Sequence, residues 1–297
     1  MSCYKPLRAF KTPTGIVFDE LRRHDIRHRI DIPCGQCIGC RMRRASDWAT
    51  RIMHESTNSE ANCFITLTYG RDQLPQNSSL DHSDWQRFMK RLRKQHAPTR
   101  VRFYMCGEYG PLHQRPHYHA CLFGIDFTDR IPAGKSESGE MFYTSEQLKQ
   151  LWTHGNVSVQ NLTRKTASYT ARYIMTKQLG PEAEKKYTET TIDGEIIKRK
   201  PEYAAMSLKP GIGAKWLKKY ATDVYPHDYV IIEGKKIQPP KYYDKIMKRQ
   251  QPDMIEELQY QREVKGKLHY QDNTPERLRV RELVHTARIR NLKRNDQ

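Results

Sequence analysis

Apolar residues recur along this chain at two periods, and the change between them marks its elements. Met42, Ala45, Trp48, Ala49, Ile52 and Met53 fall at helical spacing, with Arg41, Arg43, Arg44 and Arg51 between them. Residues 62–69 (NCFITLTY) are β-branched and aromatic without a charge, which predicts a strand buried on both faces. Over 83–95 the stripe of Trp85, Phe88, Met89 and Leu92 predicts an amphipathic helix, with Ser83 and Gln86 as its capping box. Two strands follow, roughly 101–109 and 116–124, and the Gly-, Pro- and Gln-bearing stretch between them predicts a hairpin. Helical spacing over 145–153 stops at Gly155, Val157 and Val159 suggest a short strand, and a helix is predicted over 163–178. The charged, threonine-rich tract 181–200 predicts an exposed connection. Residues 209–220 (KPGIGAKWLKKY) predict a turn leading into a basic helix, and 253–295 is polar and helical in part.

Charge narrows the partner. Lys and Arg total 52 against 34 Asp and Glu, a formal net charge of +18. A compact chain with that excess repels itself unless a polyanion is its partner, and nucleic acid is the commonest one. A basic membrane-surface protein is the alternative. No lipidation motif supports it, and no run approaches the roughly 20 apolar residues of a membrane span. The first ten residues lack the apolar core of a signal peptide, so a cytosolic setting is expected. With seven cysteines and no secretory signal, thiols or metal ligands are expected in place of a disulfide framework.

Residue parity then picks out a cluster. On a strand, His117 and His119 point to one face, about 7 Å apart along the chain. If Glu108 lies opposite His117 in the hairpin, both share that face, because opposed residues do. One face then carries Tyr104, Glu108, His117 and His119, and the other carries Val101, Phe103, Met105, Tyr118, Ala120 and Leu122. The sheet is expected to bury the second face under helices and expose the first. Two imidazoles and a carboxylate with open positions suit Mg²⁺, Mn²⁺ or a similar divalent ion; a merely hydrogen-bonded polar patch is the other reading.

Tyr169 and Tyr173 sit at i,i+4 on the predicted helix 163–178, on one face and about 6 Å apart along the axis. Ala167, Ala171 and Ile174 form an apolar stripe about half a turn away, able to pack the helix without either ring. A phenol of pKa near 10 needs help to act as a nucleophile. Lys177 stands one turn further on, and its first expected job is a phosphate contact. The alternative is that both tyrosines are ordinary aromatics among the 17 present.

Cys34, Cys37 and Cys40 are spaced C-x₂-C-x₂-C, and Cys3 would complete a Cys₄ zinc site. An iron–sulfur cluster competes, but the ferredoxin-type run has a fourth Cys followed by Pro, and that is missing here. Unliganded thiols are the remaining reading. Cys63, Cys106 and Cys121 fall in predicted strands as small core residues.

Taken in order, Phe64–Tyr69, the Gly107–Gly110 and Arg115–Ala120 blocks, and the stretch from Tyr169 to Lys177 (YTARYIMTK) resemble the motifs of the HUH endonucleases. More closely they resemble the replication initiators of the gokushovirus group of microviruses. Residues 33–40 (PCGQCIGC) and 210–213 (PGIG) are also typical of that group. The resemblance covers most of residues 1–220. One departure is Tyr118, aromatic where the family name implies a plain hydrophobe. The resemblance implies an α+β fold, an antiparallel sheet with helices packed on one face. It would divide into a Cys-rich segment over 1–60, an endonuclease core over 61–180 and a basic helical extension over 181–297. It also implies a metal held by Glu108, His117 and His119. Tyr169 and Tyr173 would be alternating nucleophiles that cut single-stranded DNA at a replication origin and leave a 5′-phosphotyrosine. The free 3′-OH would start rolling-circle replication by host replication proteins in the bacterial cytoplasm. Competing readings are a non-catalytic zinc-containing nucleic-acid-binding protein, and a relaxase or transposase of the same chemistry.

Overall fold

The computed structural model describes residues 3–18, 28–110, 114–136, 139–172, 177, 180–190 and 193–290. The chain divides into two compact units, one from residues 1–44 with 251–293 and the other from residues 45–250. The smaller unit holds strands β1 (Leu7–Thr12), β2 (Gly15–Val17) and β3 (His28–Ile32), an antiparallel sheet in the order β2-β1-β3. Helix α1 (Ile38–Ser56) begins in the residues of this unit and continues into those of the larger one.

The larger unit is built on one seven-stranded sheet. Its strands and helices follow as β4 (Asn62–Tyr69), α2 (His82–Gln95), β5 (Arg102–Tyr109), β6 (Pro116–Phe123), β7 (Ile131–Lys135) and β8 (Met141–Thr144). Then come α3 (Glu146–Leu151), β9 (Gly155–Asn161), α4 (Arg164–Ala171), α5 (Pro181–Tyr187), β10 (Thr188–Thr190), β11 (Ile196–Lys198) and β12 (Tyr203–Met206). Helix α6 (Ala214–Val224), the hairpin β13 (Val230–Ile232) and β14 (Lys235–Ile237), and α7 (Lys241–Gln250) complete it. The sheet order is β12-β5-β6-β4-β9-β8-β7, and each of its pairings is antiparallel. Residues 252–290 of the smaller unit form α8 (Pro252–Leu268) and α9 (Pro275–Arg290).

The α+β class and the antiparallel sheet agree with expectation, and so does the pairing of Glu108 with His117. Both faces of the sheet, however, are covered. On one face the stripe of α2 (Trp85, Phe88, Met89, Leu92) and Leu148, Leu151 and Trp152 from α3 and its C-cap pack on Ile65, Met105, Tyr118 and Leu122. Each of these large side chains contributes roughly 1.5–3 kcal/mol by leaving water. On the other face Ala45, Ala49 and Ile52 of α1 and Ala167 and Ala171 of α4 cover Phe64, Tyr104, Cys121 and Phe123. Tyr104, expected on an exposed face, is instead fully buried against the ring of Trp48 at 4.7 Å. Alanines let a helix approach a sheet closely, but they add little to an apolar stripe, so the second layer was hard to foresee.

Other corrections are local. The N-cap of α2 is Asp81, whose carboxylate accepts from the Ser83 N–H at 3.0 Å and the Ser83 hydroxyl at 2.9 Å; Ser83 lies inside the first turn. The tract 181–200 is structured. It supplies α5 and the β10–β11 hairpin, and the following β12 adds to the sheet beside β5. Residues 181–250 therefore belong to the unit of the sheet, and 251–293 group with the N-terminal residues, a division different from the three consecutive segments expected. Gly155 opens β9 opposite Tyr69 at φ +141°; a Cβ there would lie 2.2 Å from the Gly70 nitrogen, so only glycine fits this close crossing.

Candidate active site

The pleat of β5 and β6 carries Glu108, His117 and His119 to one face, and their register brings the side chains together. His119 Nε2 lies 3.2 Å and His117 Nε2 3.5 Å from the same Glu108 oxygen. One ligand-type atom from each residue falls within 4.8 Å of the others. Glu108 and His119 are buried, and His117 is the more exposed. The imidazole rings meet edge to face, with centroids 4.7 Å apart.

Hydrogen bonds behind the rings orient them. His117 Nδ1 donates to the Arg115 carbonyl at 3.1 Å, and a carbonyl can only accept. Its Nε2 therefore faces the Glu108 carboxylate as a bare lone pair unless the ring is doubly protonated. His119 Nδ1 bonds the Thr66 hydroxyl at 2.9 Å, an arrangement that also turns Nε2 toward the cluster. A carboxylate oxygen and an imidazole lone pair repel each other at this distance, and a cation between them removes the repulsion. The donor set thus fits a divalent ion: two imidazole nitrogens, one carboxylate, and a partner for the far nitrogen of each imidazole.

Helix α4 delivers the tyrosine. Thr163 caps it, accepting from Thr166 N–H, while Thr166 bonds back to the Thr163 N–H, a reciprocal box that fixes the helix start. Ala167 and Ala171 pack into the sheet, leaving Tyr169 on the flank toward the cluster. The Tyr169 hydroxyl is 3.3 Å from both Glu108 Oε1 and His119 Nε2. Its ring stands edge-on to His119, with centroids 4.8 Å apart, and Phe64 stacks on the far side of His119 at 5.7 Å. The structure thus gathers Glu108, His117, His119 and Tyr169. Tyr173 lies outside the described residues, as does most of the predicted helix beyond Arg172. Lys177 is described and half-buried. Cys3, Cys34, Cys37 and Cys40 come together in the other unit. Cys63, Cys106 and Cys121 are buried strand residues, as expected.

Sequence reasoning did not find Thr66, Phe64 or the Arg115 carbonyl. Thr66 and Phe64 share a parity on β4, and β4 pairs with β6 so that Thr66 opposes His119. That pairing is the only signal that would have exposed them, and it is not local to either motif.

A seven-stranded antiparallel sheet with a Glu-His-His cluster and a helix-borne tyrosine defines the class of phage replication-associated proteins, and three comparisons agree. The family of replication-associated proteins of the ORF2 and gene-2-protein type matches residues 62–179, which span β4 to the segment after α4. The replication-associated protein VP4 of Bdellovibrio phage phiMH2K is 31% identical over 276 residues, covering 90% of this chain and 83% of that protein. The replication-associated protein ORF2 of Spiroplasma virus 4 is 29% identical over 276 residues, covering 85% of this chain and 82% of that protein. The replication-associated protein ORF4 of Chlamydia phage 1 is 26% identical over 226 residues, covering 73% and 54%. This chain belongs to that family, the microvirus-type replication initiators. No solved structure matches it. Among the described residues, no helix is long and apolar enough to cross a membrane.

Proposed function

We propose that this replication initiator is a metal-dependent endonuclease and strand transferase that nicks single-stranded origin DNA with a tyrosine. The observation that carries the reading is the Tyr169 hydroxyl, 3.3 Å from both Glu108 Oε1 and His119 Nε2 inside a mostly buried cluster. Glu108, His117 and His119 would hold Mg²⁺ or Mn²⁺, which when bound supplies Lewis-acid polarisation of a phosphate oxygen. The phenolic oxygen of Tyr169 attacks phosphorus in line. The new Tyr–O–P bond forms as the P–O3′ bond breaks, the phenolic proton passes to an acceptor, and the leaving oxygen takes a proton from water to become the 3′-OH. Glu108 Oε1 is within reach of that phenolic proton. The half-buried Lys177 would contact a neighbouring phosphate. Tyr173, four residues on in sequence, would serve as the second nucleophile when the origin is regenerated.

The formal net charge of +18 supports a nucleic-acid substrate. Single-stranded DNA at the origin and host replication proteins acting on the freed 3′-OH are the partners this reading requires, in the cytoplasm of the bacterial host. A zinc-containing protein that binds nucleic acid without cutting it is the rival, and a denaturing gel separates the two. Protein, origin oligonucleotide and Mn²⁺ should give a covalent adduct that survives denaturation, and His119→Ala should abolish it while leaving binding and its salt dependence largely intact. Tyr169→Phe and Tyr173→Phe keep ring packing and remove only a hydroxyl. One should lose initial cleavage and the other terminal strand transfer, and the double variant should form no adduct. A phosphate mapped to a tyrosine outside 169–173 would overturn the assignment.

A further inference from the structure

We propose that Cys3, Cys34, Cys37 and Cys40 form a closed, four-thiolate zinc site that staples the smaller unit. All four sulfurs lie within 4.8 Å of one another. Cys3 Sγ is 3.6 Å from Cys34 Sγ and 3.9 Å from Cys37 Sγ. A tetrahedral zinc with Zn–S bonds of about 2.3 Å spaces its sulfurs about 3.8 Å apart. A disulfide needs about 2.05 Å, and all four cysteines are free thiols. Sulfurs this close surround one ion; they are too near together to enclose a multi-iron cluster. Thiolates select zinc over Mg²⁺ or Mn²⁺, so this site and the Glu-His-His cluster differ in their chemistry.

The backbone is arranged to serve thiolates. The Tyr4 N–H points at Cys37 Sγ, the Cys34 N–H at Cys3 Sγ and the Cys37 N–H at Cys34 Sγ, each at 3.3 Å. Three N–H donors offset part of the negative charge of four sulfurs around a dication. Gly35 adopts φ +75°, the left-handed turn that lets Cys34 and Cys37 converge. Cys40 stands in the first turn of α1, where the helix dipole favours a thiolate. Cys3 is far away in sequence, and the β1–β3 ladder brings it back: Leu7 opposes Ile32, so the segments before and after that pair meet.

The unit needs such a staple. Apart from Cys3 and Cys37, its buried apolar side chains among the described residues are Ala9, Phe10, Ile255, Leu258 and Leu278. So few apolar residues make a marginal core, and small domains of that kind depend on metals or disulfides. The site also reaches α9. Tyr4, next to Cys3, bonds His285 Nδ1 through its hydroxyl at 2.9 Å, and Lys5 pairs with Glu282 at 3.7 Å. Four protein ligands leave no open position, so the ion's role is to hold the fold.

The test uses the full chain purified without chelator. Elemental analysis should find about one zinc per chain, retained through washes that strip Mg²⁺ and Mn²⁺. Replacement by cobalt should give thiolate-to-cobalt charge-transfer absorption and the strong d–d bands of a tetrahedral site. Both should vanish in Cys3→Ser and Cys40→Ser and persist in Cys63→Ala. Because the serine variants could unfold the small unit, a second measurement uses the wild type. Stripping the metal with an organomercurial should raise amide exchange in residues 3–44 and 251–290. The fluorescence of Trp48, Trp85, Trp152 and Trp216, all in the other unit, should stay unchanged. Absence of tightly held zinc, a visible-absorbing iron cluster, or a Cys3–Cys34 disulfide found by mass would overturn the proposal. Zinc in a chain that forms no DNA adduct would uphold the staple and sink the nuclease; adduct formation by a zinc-free chain would do the reverse.

Discussion

Removing the carboxylate of Glu55 should cost this protein several kcal/mol. Glu55 sits near the end of α1 and is almost fully buried. One oxygen accepts from Arg102 Nε at 2.6 Å, and the other accepts from the Gly213 N–H at 2.7 Å. Arg102, on β5, is buried as well and donates its Nη2 to the Pro210 carbonyl at 2.7 Å. Arg51 of α1 reaches the same loop, donating to the Ile212 carbonyl at 3.0 Å. The PGIG motif over 210–213 thus has a structural job: it is the loop through which helix and sheet edge are tied. In Glu55→Ala the guanidinium stays buried without its counter-charge, which costs about 3–5 kcal/mol. The Gly213 N–H also loses its acceptor, for about 1–3 kcal/mol more, though the two effects share a site and need not add. Glu55→Gln keeps the volume and one acceptor and should cost about half as much. Replacing both charges, as Glu55→Leu with Arg102→Met, should recover most of the loss, since a buried pair contributes little over an apolar one of similar volume. Urea unfolding followed by tryptophan fluorescence suits the measurement, because all four tryptophans lie in residues 45–250. The midpoint should fall with an unchanged slope. A Glu55→Ala protein less than about 1 kcal/mol weaker, or a double variant weaker than either single one, would refute the account of this buried pair.

Two further changes test the site and its support. Thr66→Val removes the hydroxyl behind His119 Nδ1 and should weaken Mn²⁺ binding by roughly 10–100-fold, with Thr66→Ser restoring it. Equal Mn²⁺ affinity in all three proteins, measured by calorimetry, would show that the hydroxyl does not orient the ring. His54 stacks on Trp216 at 3.5 Å, and burial, helped by the charge of Arg164, holds its imidazole down to about 3. Its folded value lies below the unfolded 6.5, so the unfolded chain gains a proton first as the pH falls. Its stabilising balance is intact above pH 6.5 and lost below it, by about 1.4 kcal/mol per unit, or about 2 kcal/mol between pH 7 and 5. His54→Phe keeps the stack and should flatten that slope; an identical slope in both proteins, from urea midpoints, would rule His54 out as its source.

How far the chain could be read depended on how local each signal was. The hairpin cluster was legible because the β pleat has a period of two: once Glu108 is opposed to His117, the parity of every neighbour follows, and the observed register agrees. The helix of Tyr169 was legible from its spacing, and Ala167 and Ala171 do face the sheet. What lay hidden came from partners distant in sequence. Thr66 meets His119 only because β4 pairs with β6, and Cys3 meets Cys34 only through the β1–β3 ladder. The sheet's second layer failed for a different reason. A stripe of Leu and Phe signals its own burial, as α2 does with Trp85, Phe88 and Leu92, but a stripe of alanines does not. Ala45, Ala49, Ala167 and Ala171 are nonetheless the residues that suit the face bearing the cluster. Bulkier residues there would hold the helices farther from the sheet. The Tyr169 hydroxyl could then no longer stand 3.3 Å from Glu108 and His119. The small residues that made the layer invisible in the sequence are also what permits a tyrosine on a covering helix to reach the cluster beneath it.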